Sequence, residues 1–550
     1  MRDRKAEAQP LQPPAASIFS HRTFAVLWLA TVLSNIGTWM HDVGAGWLMT
    51  SLAPSLLWVA LVQTATSLPV FLLSLPAGAL ADIADRRRLL VGVQAALALV
   101  AGGLGLLVFL EQVSPAMLLL FTFAMGVGTA LGAPAWQAIV PSLVPREALQ
   151  QAVATNSVGV NLSRAIGPAL AGFIITALGL AMPFLINALS FLAVVGVLLW
   201  WRPPRTERRL PAEDLLGAMR TGLRYAWHNA PLRATLVRAA GFFLFASAYW
   251  ALLPLIARQV LAGGAPLYGI LLGCVGAGAV LGAFTLPRLR ARLGPDNVVA
   301  LGTAGTVAAL LALAGLPLRP VAALACLLAG ASWIAVLTSL NVSMQVALPD
   351  WVRARGLSIF VMVFFGSMSV GSITWGQTAT LLGLPAALAL AAAGALIAIP
   401  LTWRWKLQQG SGLDLAPSTH WPAPLVDGEV AHDRGPVMVT IEYRVEPIQA
   451  EAFVATLDEL SHERRRDGAY AWGLFEDVAQ PGRYLEYFLV ASWLEHLRQH
   501  ERVTRADQDI QTRALSFHAG PDQPHIEGRP VHAGLAAADD LPQHRTAPTR

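Results

Sequence analysis

Charged side chains, lysine and cysteine are all scarce in this 550-residue chain. Asp, Glu, Lys and Arg together make up 13% of the residues and hydrophobic types 55%, whereas soluble domains carry about 25% charged residues. Lys5 and Lys406 are the only lysines, and Cys274 and Cys326 are the only cysteines. Both cysteines fall inside long apolar runs, which excludes a disulfide framework and a thiolate metal site. This composition is typical of a membrane protein.

Long apolar stretches fill the first 400 or so residues. The segment Leu89 to Leu110 contains no charge at all, and a soluble helix of that length would need a polar face. About twenty apolar residues in a helix cross the hydrocarbon core. The predicted spans are 23–50, 55–80, 89–110, 115–138, 149–178, 181–201, 238–262, 267–287, 297–316, 319–347, 354–380 and 383–403.

Arginine is concentrated in every second gap between these spans, with Arg258 and Arg319 as exceptions. Under the positive-inside rule this pattern places both termini in the cytoplasm, as an even number of spans requires. The first run is too long for a signal peptide and is expected to be retained. Because the net charge of +5 comes mainly from these loops, it does not indicate a nucleic-acid partner.

The two halves of the membrane part echo each other. A basic loop follows the second span (Pro76 to Leu90), and another follows the eighth (Gly282 to Gly294). Matched halves predict a two-bundle transporter with its substrate site at the midplane. The predicted organisation is a cytoplasmic N-terminus (1–22), two six-helix bundles (23–201 and 238–405) joined by a cytoplasmic linker (202–237), a second linker (406–435), a small α+β domain (436–518) and a disordered tail (519–550).

The loop after the second span resembles a signature of the major facilitator superfamily. Its residues Gly78 to Arg88 read GALADIADRRR, and the family pattern is G-x-L-a-D-r-x-x-R-R/K, from which Ile83 departs. The resemblance implies a cytoplasmic latch in which the acid lies near the start of the eleventh span and the arginines contact neighbouring helix ends. The latch residues are Gly78, Asp82, Arg86, Arg87 and Arg88.

Other segments are similar to the enterobactin-exporter-like and transmembrane secretion effector branch of that superfamily. These segments are Ser34 to Pro69, Asn156 to Ile175 and Asp350 to Gly376, within a resemblance that covers most of residues 20–405. Gly167, Pro168 and Gly172 resemble the G-P-x-x-G element of drug/proton antiporters, from which they depart by one additional residue before Gly172, and this resemblance implies export. Proline and small residues in a membrane helix allow a kink or simply close helix packing.

Asp42 and Arg164 lie well inside predicted spans, where charge is costly and usually functional, and both are candidates for proton coupling. The alternative for Asp42 is a position near the outer mouth in water. Arg164 is also a candidate for binding an anionic substrate, for pairing with Asp42, or for anchoring a helix end. The substrate-cavity candidates are Gln63, Asn161, Asn187, Trp333, Asn341, Gln345 and Trp375, with Tyr249 and Trp250 as further aromatic candidates.

Glycine-rich segments within the spans, such as Gly126 to Gly132 and Gly276 to Gly282, are interpreted as helix-packing contacts. No Walker motif occurs, so coupling to an ion gradient is expected instead of ATP. No cofactor and no metal are expected, and the partners are a small-molecule substrate, protons and the lipid bilayer.

The last part of the chain has a soluble pattern. Strands are predicted at Val437–Val445, Ala469–Asp477, Arg483–Ser492 and Ala514–His518, and helices at 447–466 and 493–513. This β-α-β-β-α-β order predicts a ferredoxin-like domain. Ser492 to Asp507 resembles the antibiotic-biosynthesis-monooxygenase-like group, which implies self-association through the sheets. His462, His496 and His500 leave catalysis open, but regulation or dimerisation is favoured because fold alone does not carry function.

The sequence therefore predicts an all-α membrane protein of twelve helices with a C-terminal α+β domain, located in the bacterial inner membrane. The expected function is secondary transport, as a proton-coupled exporter of a small amphipathic compound such as a siderophore or drug, and not catalysis. The alternatives are an importer of a small metabolite, or a membrane-anchored sensor or enzyme acting through its C-terminal domain.

Overall fold

Eleven helices among the described residues are long and apolar enough to cross a membrane. The computed structural model describes residues 18–53, 55–140, 143–145, 148–201, 223–349, 351–408, 418, 434–520 and 524–530. The membrane helices are α1 (Arg22–Leu52), α2 (Leu56–Ile83), α3 (Arg86–Phe109), α4 (Pro115–Ile139), α5 (Leu149–Leu178), α6 (Met182–Trp200), α7 (Ala230–Leu255), α8 (Ala265–Gly315), α9 (Arg319–Val346), α10 (Arg353–Leu382) and α11 (Leu384–Thr402).

The helix α8 is 51 residues long, more than twice the length that one span needs. Inside it, Gly294 has φ 75° and ψ 164°, and Pro295 follows. Glycine adopts this positive φ without the steric cost that a side chain would add, and proline removes a backbone donor. The break separates two arms that coincide with the spans predicted at 267–287 and 297–316.

The chain divides into two compact units. The first contains residues 1–215, 235–342 and 358–407, and the second contains 216–234, 343–357 and 408–550. Much of both predicted linkers, and residues 531–550 of the tail, lie outside the described residues.

The second unit contains a four-stranded antiparallel sheet in the order β2-β3-β1-β4. Its strands are β1 (Val437–Arg444), β2 (Ala471–Glu476), β3 (Arg483–Val490) and β4 (His525–Pro530). The helix α12 (Ala450–Asp467) joins β1 to β2, and α13 (Trp493–Arg502) and α14 (Arg505–Ser516) lie between β3 and β4. Phe453, Leu457 and Phe488 are fully buried in the core of this domain.

The strand predicted at Ala514–His518 is wrong. The helix α14 begins with a capping box between Thr504 and Asp507 and continues to Ser516, because the two residues satisfy each other's backbone donors. The fourth strand instead lies at His525–Pro530, paired with β1. The domain therefore extends past residue 518, into a segment that the sequence had predicted to be disordered.

A polar group is buried inside this core. The Glu486 carboxylate, fully buried on β3, accepts hydrogen bonds from Arg464 Nε at 3.1 Å, Trp472 Nε1 at 3.0 Å and Tyr443 Oη at 3.0 Å. A buried charge is tolerated when it is paired and hydrogen-bonded in this way. The network joins α12 to one residue on each of the strands β1, β2 and β3.

Glu463, on the same helix, is buried without such a partner. It is 9% exposed, and its Oε2 has no hydrogen-bond partner among the described residues. Burial raises the pKa of this carboxyl to about 9, and the nearby Asp507 adds to the shift. Glu463 therefore stays protonated in the folded domain up to about pH 9, whereas in the unfolded chain it ionises above its usual pKa of 4.5. Because ionisation stabilises the unfolded chain, the free energy of unfolding falls as the pH rises above 4.5.

Glu463→Gln is expected to raise the free energy of unfolding of this domain by roughly 1–3 kcal/mol at pH 8 and by almost nothing at pH 4. Glutamine keeps the shape but cannot ionise in the unfolded state. Hydrogen exchange of the β1 amides in the full-length protein measures the difference, with the exposed Glu451→Gln as the matched control. Equal protection of wild type and Glu463→Gln at pH 8 would contradict the assignment.

Candidate substrate and coupling site

Trp333 on α9 lies at the centre of a cluster of aromatic rings. Its ring centroid is 5.2 Å from Phe243, 5.3 Å from Trp250 and 5.8 Å from Phe364. Tyr249 is 6.4 Å from Trp333, and Trp39 on α1 is 6.3 Å from Trp250. We call these six residues the aromatic cluster. Because α1 belongs to the first half and α7, α9 and α10 to the second, both halves contribute to it.

Arg164 on α5 lies at one end of this cluster. Its guanidinium carbon is 5.7 Å from the centre of the Trp39 ring, a distance that permits a cation–π contact. Its Nε is buried and has no hydrogen-bond partner among the described residues. A buried cationic donor without an acceptor is costly, and an anionic ligand would remove that cost through charge-assisted hydrogen bonds.

Glycines allow α5 to approach both α1 and α8. A Cβ at Gly167 would lie 2.6 Å from the Trp39 Cβ, and one at Gly172 would lie 2.8 Å from the Pro266 Cα. On the opposite side, a Cβ at Gly276 would lie 2.8 Å from the Arg164 carbonyl oxygen. The helix α5 is continuous through Pro168. The residues predicted as a helix kink are thus points of close helix approach, which bring Arg164 to Trp39.

Asp42 lies one turn beyond Trp39 on α1, and this spacing puts the two residues on the same helix face. The side chain is half-buried. One turn further, a Cβ at Gly46 would lie 3.0 Å from the Tyr268 hydroxyl, and Trp47 stacks on the same tyrosine at 6.4 Å. Among the described residues Asp42 has no ion-pair partner, so the Asp42–Arg164 pair that the sequence left open is not formed.

The predicted latch loop contacts two other helices. A Cβ at Gly78 would lie 3.8 Å from Ser358 Oγ, one turn into α10. Arg87 donates from Nε to the Leu198 carbonyl at 2.7 Å and from Nη2 to the Leu199 carbonyl at 2.6 Å. A cation at the last carbonyls of α6 is favoured by the helix dipole. The Asp82 side chain lies outside the described residues.

A family model described as a transmembrane secretion effector matches residues 14–532. The chain belongs to this family of the major facilitator superfamily. The matched range spans the membrane helices and extends past the fourth strand of the C-terminal domain. The protein is therefore a multi-pass membrane transporter.

Individual relatives agree with this family. The staphyloferrin A transporter of Staphylococcus aureus is 26% identical over 276 residues, which are 49% of this chain and 68% of the relative. The enterobactin exporter EntS of Citrobacter koseri is 28% identical over 327 residues, 58% of this chain and 76% of the relative. A bacterial homologue of the human lysosomal transporter Spinster, solved inward-facing and occupied, has a TM-score of 0.56 at 15% identity, covering 71% of this chain and 98% of that chain. At that identity the likeness supports the fold alone.

The other cavity candidates of this major facilitator are not among the six residues of the aromatic cluster. Trp375 donates its indole N–H to the Leu244 carbonyl at 2.8 Å, which ties α10 to α7. Asn161 donates to the Ser157 carbonyl of its own helix, and Asn187 is fully buried against Gly37 between α6 and α1. Gln345 is exposed and belongs to the second unit, while Gln63 and Asn341 are half-buried.

Sequence reasoning missed three members of the cluster, Trp39, Phe243 and Phe364. Two signals were available. Trp39 lies one turn before the charged Asp42, and Phe243 is seven residues before Trp250 and so shares its helix face. Phe364 offers no such signal, because its neighbour Phe365 is equally aromatic and only helix packing distinguishes the two.

Proposed function

We propose that this transporter exports a small anionic compound with aromatic or planar groups, such as a siderophore, from the bacterial cytoplasm in exchange for protons. The observation that carries the proposal is the buried Arg164 Nε, which lacks an acceptor and stands beside the aromatic cluster. Aromatic faces bind planar groups and a guanidinium binds carboxylate or phenolate oxygens. The names of the two relatives, one a staphyloferrin A transporter and one an enterobactin exporter, support the same substrate class.

The transport cycle proposed here is alternating access between two six-helix bundles. Counting the two arms of α8 separately gives twelve spans, with six before and six after the linker. Because residues of both halves form the aromatic cluster, rocking of one half against the other opens the cluster to one side of the membrane at a time. The arginine-rich loops support an orientation with both termini in the cytoplasm.

Asp42 is the proposed proton carrier. It shares a helix face with Trp39, and no cation neutralises it among the described residues. A carboxylate in this position takes up a proton from one side and releases it to the other as access alternates, while Arg164 holds the substrate. On α1, Asp42 lies one turn from Trp39 of the substrate site. The proton and the substrate therefore have separate but neighbouring sites, which allows them to be exchanged.

Proteoliposomes with an acidic lumen test this function with iron-free enterobactin as the probe. Export by antiport predicts that the molecules facing cytoplasmic side out concentrate enterobactin inside the vesicle, and that a protonophore stops accumulation. Trp375→Phe, outside the aromatic cluster, serves as the control variant. Accumulation only when the gradient is reversed would favour the importer instead.

We further propose that two copies associate through the C-terminal sheet. Phe475 is 59% and Leu485 is 41% exposed, and they are direct partners on neighbouring strands. Phe475 also stacks on Tyr487 at 5.6 Å. An exposed aromatic surface on a sheet is typical of an interaction site, and the resemblance to sheet-paired domains supports a second copy as the partner.

Phe475→Asp is expected to convert a dimer to a monomer, because a charge at the centre of an apolar contact stays solvated only when the copies separate. Light scattering of the purified full-length protein at micromolar concentration measures the mass. Ile448→Asp, which is 91% exposed on a turn away from the sheet face, is the control. A monomeric wild type, or a dimeric Phe475→Asp variant, would refute the proposal.

A further inference from the structure

Two connections of the membrane part lie within the second unit, against the C-terminal domain. Tyr225, near the end of the linker, is 1% exposed. Its ring stands edge-on to that of Trp351, in the connection between α9 and α10, at 5.5 Å and 89°. Residues 225 and 351 are 126 positions apart in the chain, so their contact joins two separate connections.

Two arginines of the C-terminal domain cover these rings. The Arg466 guanidinium lies 5.7 Å from the centre of Tyr225, and the Arg502 guanidinium lies 4.7 Å from the centre of Trp351. A desolvated guanidinium is attracted to the face of an aromatic ring. Arginines of α12 and α13 therefore contact the pair of rings.

Each arginine is fixed in place by carboxylates. Arg502 donates to Glu495 at 2.6 Å, and Arg466 donates to Asp467 at 2.9 Å and to Asp507 at 2.7 Å. Glu495 also accepts a hydrogen bond from Arg224, the neighbour of Tyr225, at 3.2 Å. Prepositioned guanidinium groups lose less side-chain freedom when the rings bind. Arg502 and Asp467 are buried, and the Arg466 side chain is 14% exposed.

The two covered rings stand at the beginnings of two membrane helices. The Tyr225 hydroxyl accepts from Asn229 Nδ2 at 3.1 Å, and Asn229 Oδ1 in turn accepts from the Leu232 backbone N–H at 2.8 Å, at the start of α7. Trp351 is two residues before α10, which begins at Arg353. The helices α7 and α10 carry four members of the aromatic cluster, Phe243, Tyr249, Trp250 and Phe364.

We propose that the C-terminal domain is an internal clamp, which grips the starts of α7 and α10 through the Tyr225–Trp351 pair and thereby regulates the transport rate. The occupant of this surface is the transporter's own linker end and α9–α10 connection. A contact that spans both segments favours the conformation in which they are close together. Separation of the segments during transport must break it. Only the effect on rate rests on the proposed function.

The contact between the C-terminal domain and the Tyr225–Trp351 pair can be tested without substrate. A protease site inserted within residues 409–433 allows the domain to be cut from the purified full-length protein. We expect the cut wild-type domain to remain bound during size-exclusion chromatography. In a Tyr225→Ala/Trp351→Ala variant we expect at least tenfold less of the cut domain to elute together with the membrane part. Arg513→Ala, which removes an exposed ion pair with Glu459 on the same domain, is the control and should retain the domain.

Release of the wild-type domain on cutting, or equal retention in the double variant, would overturn the clamp. Circular dichroism of the released domain distinguishes loss of contact from unfolding. For the regulatory part, the enterobactin transport rate of the double variant is expected to differ at least threefold from that of wild type. If the double variant releases the domain as expected but transports enterobactin at the wild-type rate, the regulatory role would be overturned and the transport function would stay in place.

Discussion

Replacing Arg164 by methionine is expected to slow export of an anionic siderophore by about 100-fold or more. The side chain is the cation at the aromatic cluster, and its buried Nε has no acceptor among the described residues. Loss of a buried charge-assisted contact costs about 3–5 kcal/mol, and each 1.4 kcal/mol corresponds to a factor of ten. Methionine keeps a similar length, so the packing around Trp39 should survive. Initial rates in proteoliposomes at subsaturating iron-free enterobactin measure the loss.

Two companion variants separate charge from geometry. Arg164→Lys should recover part of the rate, because it restores the charge but not the planar fork that binds two oxygens. Arg292→Met removes an exposed arginine near the end of the first arm of α8, two residues before Gly294, and should export normally. An Arg164→Met protein that exports enterobactin at the wild-type rate would remove Arg164 from the substrate site.

Asp42→Asn is expected to abolish uphill export while leaving exchange down a concentration gradient intact. Asparagine keeps the size and polarity of the side chain but cannot carry a proton. With one proton exchanged per molecule, a gradient supports about tenfold accumulation for each pH unit. The variant should bring internal and external enterobactin only to equality. The measurement is the steady-state accumulation ratio at several pH differences.

Asp42→Glu is the matched control, since it retains the carboxyl group one methylene further out, and it should keep part of the accumulation. If Asp42→Asn still concentrates enterobactin, the proton must travel on another group. The neighbouring His41 would then be the first to examine. It is 1% exposed, it packs edge-on to Phe184 at 4.8 Å, and both ring nitrogens lack partners among the described residues.

The membrane class was predictable from sequence because it depends on composition over whole segments. Uninterrupted apolar runs and alternating arginine loops require no knowledge of packing. The helix count depends on how the segment around Gly294 is divided. Gly294 and Pro295 end one span and begin the next without an intervening loop, so the structure has one 51-residue element where the sequence suggested two.

In the C-terminal domain, some strands are predictable from the local sequence pattern, whereas the fourth depends on pairing with a strand that is distant in the sequence. The strands β1 and β3 alternate in burial, and this period of two is visible in the sequence. The fourth strand, HIEGRP, has little β propensity and is held by its pairing with β1. Ala514 to Ser516 form the last turn of α14, which begins with the capping box at Thr504.

The site was predictable only in part. Arg164 stands out because a charge inside a span is unusual. The side chains of Asn161 and Trp375, which were predicted from their polarity as cavity candidates, donate to backbone carbonyls. Membership of Phe364 depends on which helices meet, so it required the structure.

The most direct test of proton-coupled export is the movement of protons that the substrate itself evokes. Iron-free enterobactin is added to proteoliposomes that contain a pH-sensitive dye, with wild type and Asp42→Asn measured side by side. The account predicts that wild type turns the lumen alkaline as enterobactin enters and protons leave, and that the variant gives no pH change. Enterobactin entry without proton movement in wild type, or an undiminished signal in Asp42→Asn, would contradict it.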